Sequence, residues 1–258
     1  ISVHDPTSLV IPQTVARSPS DLTIVGVANT VCGVIGSNVC DSLVGKNLTI
    51  NFSLNGEPCQ EASVAPTKTV LEYLREDHGL TGTKEGCAEG DCGACSVVLV
   101  RNGTDQRVAV NSCLLTVGQL DGADLITVEG LSERNGELEA VQQAVVTEDG
   151  TQCGFCTPGF VMALYALRHT GETVTEEIIH DALAGNLCRC TGYRSIVDAA
   201  RSACTEPAEN STPRADRETG EWHEFGDEKF LAPRTLDDLL AARLAHPDAP
   251  LLSGGTDL

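Results

Sequence analysis

Positive charge is what this chain has least of. Lys and Arg number 17 against 37 Asp and Glu, a formal net charge of −20. Phosphate binding needs a basic surface, so nucleic acid is excluded as a partner. Long apolar runs are missing too. Leu22 to Val44 comes nearest, but Gly, Asn, Ser, Thr and Asp41 interrupt it, so no segment has the continuous length of a membrane-spanning helix. Arg17 precedes that stretch as in a signal peptide, yet no small-residue cleavage site follows. Methionine occurs once, at Met162, and the chain begins at Ile1, so it reads as a fragment or a processed form. A catalytic acid–base pair is also absent. The six histidines are scattered, and His169 and His180 read as ordinary helix positions, because a lone imidazole needs partners to act.

Cysteine, by contrast, is abundant. Eight of the 12 cysteines fall into two sets of four, a grouping that fits metal ligation in a reducing, cytoplasmic setting better than a disulfide framework. The first set is Cys87, Cys92 and Cys95 in one glycine-rich loop, with Cys113 downstream. Thiolate sulfur is a soft ligand that selects zinc, Cu(I) or iron–sulfur centres. The spacing C-x₄-C-x₂-C…C is that of plant-type [2Fe–2S] sites. Gly90 and Gly93 allow the loop to fold tightly, so that backbone N–H groups can approach the sulfurs. A structural zinc site or a disulfide cluster is the alternative, although zinc ligands usually come as short pairs from two separated hairpins.

Readable order begins at Leu48. Leu48, Ile50, Phe52 and Leu54 alternate with polar residues as in a half-buried strand, and Asn55-Gly56 reads as a hairpin turn. Cys59 stands alone and reads as a small buried hydrophobe. Thr69-Val70-Leu71-Glu72 is a capping box opening a helix that His78-Gly79 ends. Ser96 to Arg101, Arg107 to Val110 and Leu125 to Val128 read as strands, the first two joined by a turn at Asn102-Gly103. One helix, a small sheet and a long cysteine loop suggest a β-grasp ferredoxin-like domain over residues 48–130. After Gly130 the period becomes helical: Leu138, Val141 and Val145; Phe160, Leu164 and Leu167; Ile178, Ile179 and Leu183 behind a capping box at Thr173–Glu176; then Ile196, Val197, Ala200 and Cys204. Residues 131–204 therefore read as a four-helix domain.

The second set of cysteines, Cys153, Cys156, Cys188 and Cys190, occupies two junctions between those helices. Helix N-termini supply unpaired N–H groups and positive dipole ends, which suit an anionic group. Taken alone, C-x₂-C with C-x-C suits zinc as well as an iron–sulfur centre.

From Leu48 to Cys204 the chain resembles the iron–sulfur portion of the xanthine dehydrogenase / aldehyde oxidase family of molybdenum hydroxylases. The resemblance is carried by Thr83-Lys84-Glu85-Gly86-Cys87 through Cys95, by Gln152-Cys153-Gly154-Phe155-Cys156-Thr157-Pro158-Gly159, and by Gly185-Asn186-Leu187-Cys188-Arg189-Cys190-Thr191-Gly192-Tyr193-Arg194. It implies an α+β architecture: a β-grasp 2Fe-2S ferredoxin-like domain followed by a four-helix 2Fe-2S-binding domain. It implies two 2Fe-2S clusters, one on Cys87, Cys92, Cys95 and Cys113 and one on Cys153, Cys156, Cys188 and Cys190, with Gln152 and Cys190 approaching the pterin of the molybdenum cofactor. The implied function is electron transfer from a molybdopterin-binding large subunit through the two clusters to FAD, with NAD as final acceptor in the complete enzyme. A zinc-stabilised interaction module and a stand-alone ferredoxin-like carrier are the competing readings.

Two ends remain. Residues 1–47, with Cys32 and Cys40, receive no assignment. Residues 205–229 are polar and acidic, with Pro207 and Pro213, and read as a solvated linker. Residues 230–258 then carry a capping box at Thr235–Asp238, a helix with Leu239, Leu240 and Leu244, and a strand entering a glycine turn, Leu251-Leu252-Ser253-Gly254-Gly255-Thr256-Asp257-Leu258. Here the resemblance implies the beginning of an FAD-binding domain, with backbone N–H groups of Gly254, Gly255 and Thr256 facing the pyrophosphate. An iron–sulfur module running straight into a flavin segment favours the small subunit of a bacterial-type xanthine dehydrogenase, or the N-terminal part of a fused chain.

Overall fold

The computed structural model describes residues 22–24, 49–101, 103–132, 136–171, 173–204, 208, 222–225, 228–233 and 235–252. The glycine turn Ser253–Leu258, residue Leu48, Cys32, Cys40 and the rest of the N-terminal stretch lie outside the described residues.

Strand β1 is Leu22–Ile24, and a five-stranded mixed sheet follows it in the chain. Strands β2 (Ile50–Leu54) and β3 (Glu57–Glu61) form a hairpin whose turn residues, Asn55 and Gly56, both have positive φ (52° and 83°). That geometry is a primed turn, which matches the strand twist and explains why Asn-Gly stands there. Helix α1 (Val70–Glu72) starts at Thr69, whose hydroxyl accepts the Glu72 N–H while the Glu72 carboxylate accepts the Thr69 N–H. It continues as one π-helical turn, Tyr73–Asp77, before Gly79 turns the chain at φ 66°. Strands β4 (Ser96–Val100), β5 (Arg107–Asn111) and β6 (Asp124–Ile126) complete the order β3-β2-β6-β4-β5, with β2 and β6 parallel and the other pairs antiparallel.

Strand β4 explains its own composition. All five residues are buried, because the sheet is covered on both faces. Val97 and Leu99 point into a core with Ile50, Phe52, Val70, Tyr73, Leu74 and Leu125. Val98 points the other way, into a core with Val141, Phe160, Leu164, Leu167 and Ile196. A strand wet on one face would alternate; one with two dry faces reads as a continuous apolar run.

The second core belongs to helices α2 (Ala140–Thr147), α3 (Thr157–Arg168), α4 (Glu176–Leu183) and α5 (Arg194–Ala203). Helix α3 lies on β4 and β5 and buries eight of its 12 residues. Phe160 at its centre is 1% exposed, which contributes roughly 1.5–3 kcal/mol. Helix α4 begins later than the sequence pattern suggests. The cap is Thr175, whose hydroxyl accepts the Ile178 N–H, so the expected box at Thr173 does not form. Both threonines are good caps, and Thr175 leaves Glu176 and Glu177 in the first turn, where the helix dipole favours acidic residues.

The segment read as a linker carries order of its own. Strands β7 (Trp222–Phe225) and β8 (Glu228–Leu231) form an antiparallel pair, and β1 adds to β8 in parallel. Residues far apart in sequence build this small sheet, and its short strands leave no periodic signal. Phe230 is fully buried and its ring covers Gly118, where an added Cβ would come within 2.7 Å of the ring. Helix α6 (Leu236–Ala245) follows, capped by Thr235. Among the described residues no helix is long and apolar enough to cross a membrane.

Candidate iron–sulfur sites

The loop from Gly86 to Ala94 gets its shape from left-handed backbone angles, which Gly90 and Gly93 adopt freely and Ala88 adopts at a cost of about 1–2 kcal/mol. Ala88, Gly90 and Gly93 all have positive φ (58°, 87° and 67°). The turns bring main-chain N–H groups onto sulfur: Cys87 N lies 3.4 Å from Cys92 Sγ, and Glu89 N and Asp91 N lie 3.5 and 3.3 Å from Cys87 Sγ. Gly86 leaves space for one of these thiols, since a Cβ there would stand 2.8 Å from Cys92 Sγ. Cys113 arrives from the end of β5, and its sulfur is 3.4 Å from that of Cys95. Ser112 secures the approach, its N–H and hydroxyl both donating to Cys95 O at 3.3 and 2.8 Å.

The thiols of each set lie close enough to influence one another's proton affinity. In the first, the sulfurs of Cys95 and Cys113 are in direct contact, and Cys92 Sγ accepts the Cys87 N–H. In the second, Cys190 acts on the Cys153 thiol and Cys188 on the Cys156 thiol. Among the described residues, no three of these sulfurs lie within 4.8 Å of one another. A single tetrahedral zinc draws four sulfurs to mutual separations of roughly 3.7 Å. Sulfurs spread more widely than that suit a two-metal core instead, with all four cysteines as ligands. All ten cysteines described are free thiols, so none of the eight is committed to a disulfide. The donor set, the N–H groups aimed at sulfur and the space left by Gly86 fit an anionic [2Fe–2S] group.

Within the pairs, proton affinity divides unevenly. The hydrogen bond between Cys95 and Cys113 holds the Cys95 thiol down at about 6 despite burial, and the same bond pushes Cys113 up. Burial raises Cys156 to about 12, with the Cys188 thiol adding to it. Burial also works against Cys188, but the hydroxyl and N–H of Thr191, with the Cys190 N–H and the Cys156 thiol, together outweigh it and bring that thiol to about 7. One member of each of these pairs is thus ready to lose its proton, as metal ligation requires.

The second set is shaped by Gly154 and Gly192, at φ 83° and 67°, and by Tyr193 at φ 69°. Tyr193 is the N-cap residue of α5, and its hydroxyl accepts the Cys188 N–H at 3.0 Å. Cys156 is the N-cap residue of α3. Cys153, Cys190 and Gln152 are exposed, whereas Cys95 and Cys113 are buried. Leu251 is half exposed and Leu252 is buried; both are distinct from the cysteine loops in sequence and element.

What the cysteine spacing does not reveal is that the two loops touch. Asn186, only 5% exposed, donates its side-chain amide to Gly93 O at 2.9 Å and to Ser96 Oγ at 3.2 Å. Leu187 N donates to Cys92 O at 2.9 Å. The backbones approach so closely that a Cβ on Gly159 would stand 2.2 Å from Gly93 O, and one on Gly93 would stand 2.3 Å from Gly185 O. Asn186, Gly159 and Tyr193 lie inside conspicuous motifs, but nothing local distinguishes a bridging Asn or Gly from a turn residue. Asn186→Ala is expected to cost about 1–3 kcal/mol, because Gly93 O and Ser96 Oγ lose a buried donor, and denaturant titration should show it.

The "2Fe-2S iron-sulfur cluster binding domain" family matches residues 52–118, and the "[2Fe-2S] binding domain" family matches residues 127–201. Xanthine dehydrogenase of Emericella nidulans is 38% identical over 268 aligned positions, covering 81% of this chain and 19% of that protein. Aldehyde oxidase 2 of Cavia porcellus is 35% identical over 266 positions, covering 80% and 20%. The chain thus spans about a fifth of the length of these curated relatives. Among solved structures, a chain of quinoline 2-oxidoreductase from Pseudomonas putida 86 matches at TM-score 0.53 and 34% identity, covering 62% of this chain and 94% of that one. Aldehyde oxidoreductase from Desulfovibrio gigas matches at TM-score 0.55 and 36% identity, covering 61% and 17%.

Proposed function

The chain belongs to the xanthine dehydrogenase / aldehyde oxidase family of molybdenum hydroxylases, and from that premise we propose that it is the electron-relay portion of such an enzyme. In this reading Cys87, Cys92, Cys95 and Cys113 hold one [2Fe–2S] cluster, and Cys153, Cys156, Cys188 and Cys190 hold the other. Such clusters supply one-electron transfer at potentials set by charge, hydrogen bonds to sulfur and exposure. The chain's own part is to supply the thiolates, aim N–H groups at them and hold the two sites side by side. The observation that carries the proposal is the contact between the two cysteine loops, through Asn186 to Gly93 and Leu187 to Cys92. Two separate structural metal sites would have no need of it; two centres that exchange electrons do.

The proposal assigns substrate oxidation to a molybdopterin-binding partner or domain. The exposed edge with Gln152, Cys153 and Cys190 faces it, and the first set, with Cys95 and Cys113 buried, lies on the side of FAD and, beyond it, NAD. Residues 48–130 and 131–204 are the two cluster domains, and the segment from 230, with Leu251 to Leu258, opens the FAD-binding part.

Purified protein tests the reading. Brown colour, equal iron and acid-labile sulfide, two distinct EPR signals after dithionite and bleaching of the visible absorption are expected. Colourless protein with stoichiometric zinc and no sulfide would overturn it in favour of a zinc-stabilised module. Copurification with a molybdenum-containing partner is expected as well. Isolation without one under conditions that preserve complexes would favour a stand-alone carrier.

A further inference from the structure

A third group of ligating side chains lies apart from both cysteine sets, at the edge strand of the large sheet. Cys59 and Glu61 are two residues apart on β3, so both point to the sheet face that α1 and its π-helical turn cover. His78 caps the end of that turn. The three donor atoms, Cys59 Sγ, Glu61 Oε1 and a ring nitrogen of His78, all lie within 4.8 Å of one another. Cys59 Sγ is 3.7 Å from Glu61 Oε1, and His78 Nε2 is also 3.7 Å from that oxygen.

We propose that Cys59, Glu61 and His78 form a zinc site that fastens the edge strand β3 to the end of the first helix. Tetrahedral zinc, with bonds of about 2.0–2.3 Å, sets its ligand atoms roughly 3.3–3.6 Å apart. The observed spacing meets that with shifts of a few tenths of an ångström for two of the three pairs. Thiolate, imidazole and carboxylate together are borderline-soft and suit zinc over magnesium or calcium. The carboxylate is also aimed. Tyr73, fully buried, donates its hydroxyl to Glu61 Oε1 at 2.6 Å, and its ring meets His78 edge-on at 4.5 Å between centroids. One tyrosine thus orients two of the ligands, as outer-shell groups do in metal sites. His78 is partly exposed, which leaves water as the fourth ligand and solvent as the route of access. On binding, the thiol proton of Cys59 passes to water and its sulfur lone pair bonds the ion; no electron changes hands.

The experiment is zinc binding to the protein as purified, measured by competition with a chromophoric chelator, together with zinc-edge absorption spectroscopy. One equivalent with a shell of one sulfur and three light atoms is expected. Cys59→Ser and His78→Ala should each weaken that equivalent by at least tenfold and abolish the zinc-dependent rise in melting temperature. Tyr73→Phe should retain the shell and lower affinity by less than the ligand variants do. The site is overturned if the Cys59→Ser and wild-type proteins bind zinc alike, or if no zinc is taken up. Zinc in an all-sulfur shell, unchanged in Cys59→Ser, would overturn it too, and would place the metal in the two cysteine sets, thereby separating failure of this site from failure of the cluster assignment.

Discussion

Replacing Cys95 by Ser should halve the iron and sulfide of the purified protein and remove one of its two EPR signals. Cys95 is 2% exposed, sits 3.4 Å from Cys113, and is the more acidic member of that pair. Serine keeps the shape but offers an oxygen, a harder ligand that is far less readily ionised than this thiol. The remaining sulfurs cannot close the site. The cluster proposed on Cys153, Cys156, Cys188 and Cys190 should persist, because its four thiols come from other junctions. Cys204→Ser is the control. That residue is just as buried, at 3%, and its thiol is raised to about 11 mainly by burial, yet it belongs to the helical core and to neither set. Unchanged iron in Cys204→Ser and halved iron in Cys95→Ser is the expected contrast. Full iron in both would remove Cys95 from the ligand set.

Gly93→Ala should be among the most damaging single changes in the chain. Two costs add. The residue has φ 67°, where a non-glycine backbone costs about 1–3 kcal/mol. Its new Cβ would also stand 2.3 Å from Gly185 O and 2.5 Å from Asn186 Nδ2, and such overpacking costs a further 1–3 kcal/mol or so. At about 2–4 °C per kcal/mol for a chain of this size, melting should fall by roughly 10 °C. Two other glycines separate the causes. Gly154 has φ 83° with nothing near its virtual Cβ, so Gly154→Ala carries the backbone cost alone, about 1–2 kcal/mol. Gly159 has ordinary helical angles, and its Cβ would meet Gly93 O at 2.2 Å, so Gly159→Ala carries only the contact cost. If Gly159→Ala proved as mild as a surface substitution, the loop contact would not be a rigid one. The relay reading would then lose its main support. The EPR signals of Gly93→Ala and Gly159→Ala should also broaden or shift together, since either change pushes both loops.

The sequence by itself determined what depends on short spacing. The C-x₄-C-x₂-C run is held by four and two intervening residues, so the loop geometry travels with the letters. Asn55-Gly56 and Thr69–Glu72 are equally local, and the turn and the cap stand where those residues predict them. The helix of Phe160, Leu164 and Leu167 was legible because these large apolar residues recur at helical spacing, although the packed helix buries more than that one face. Tertiary structure alone decided what depends on distance along the chain. Asn186 reaches Gly93 across 93 positions, and no local preference encodes the meeting. Strand β1 pairs with β8 across some two hundred residues, which is why the first segment and the acidic stretch before Phe230 carried no pattern. Cys59 looked like an isolated buried thiol because Tyr73 and His78 join it and its strand neighbour Glu61 only when an edge strand folds over a helix end. Spacing within a loop survives in sequence because covalent geometry enforces it; contacts between loops are set by packing, and packing is a property of the whole chain.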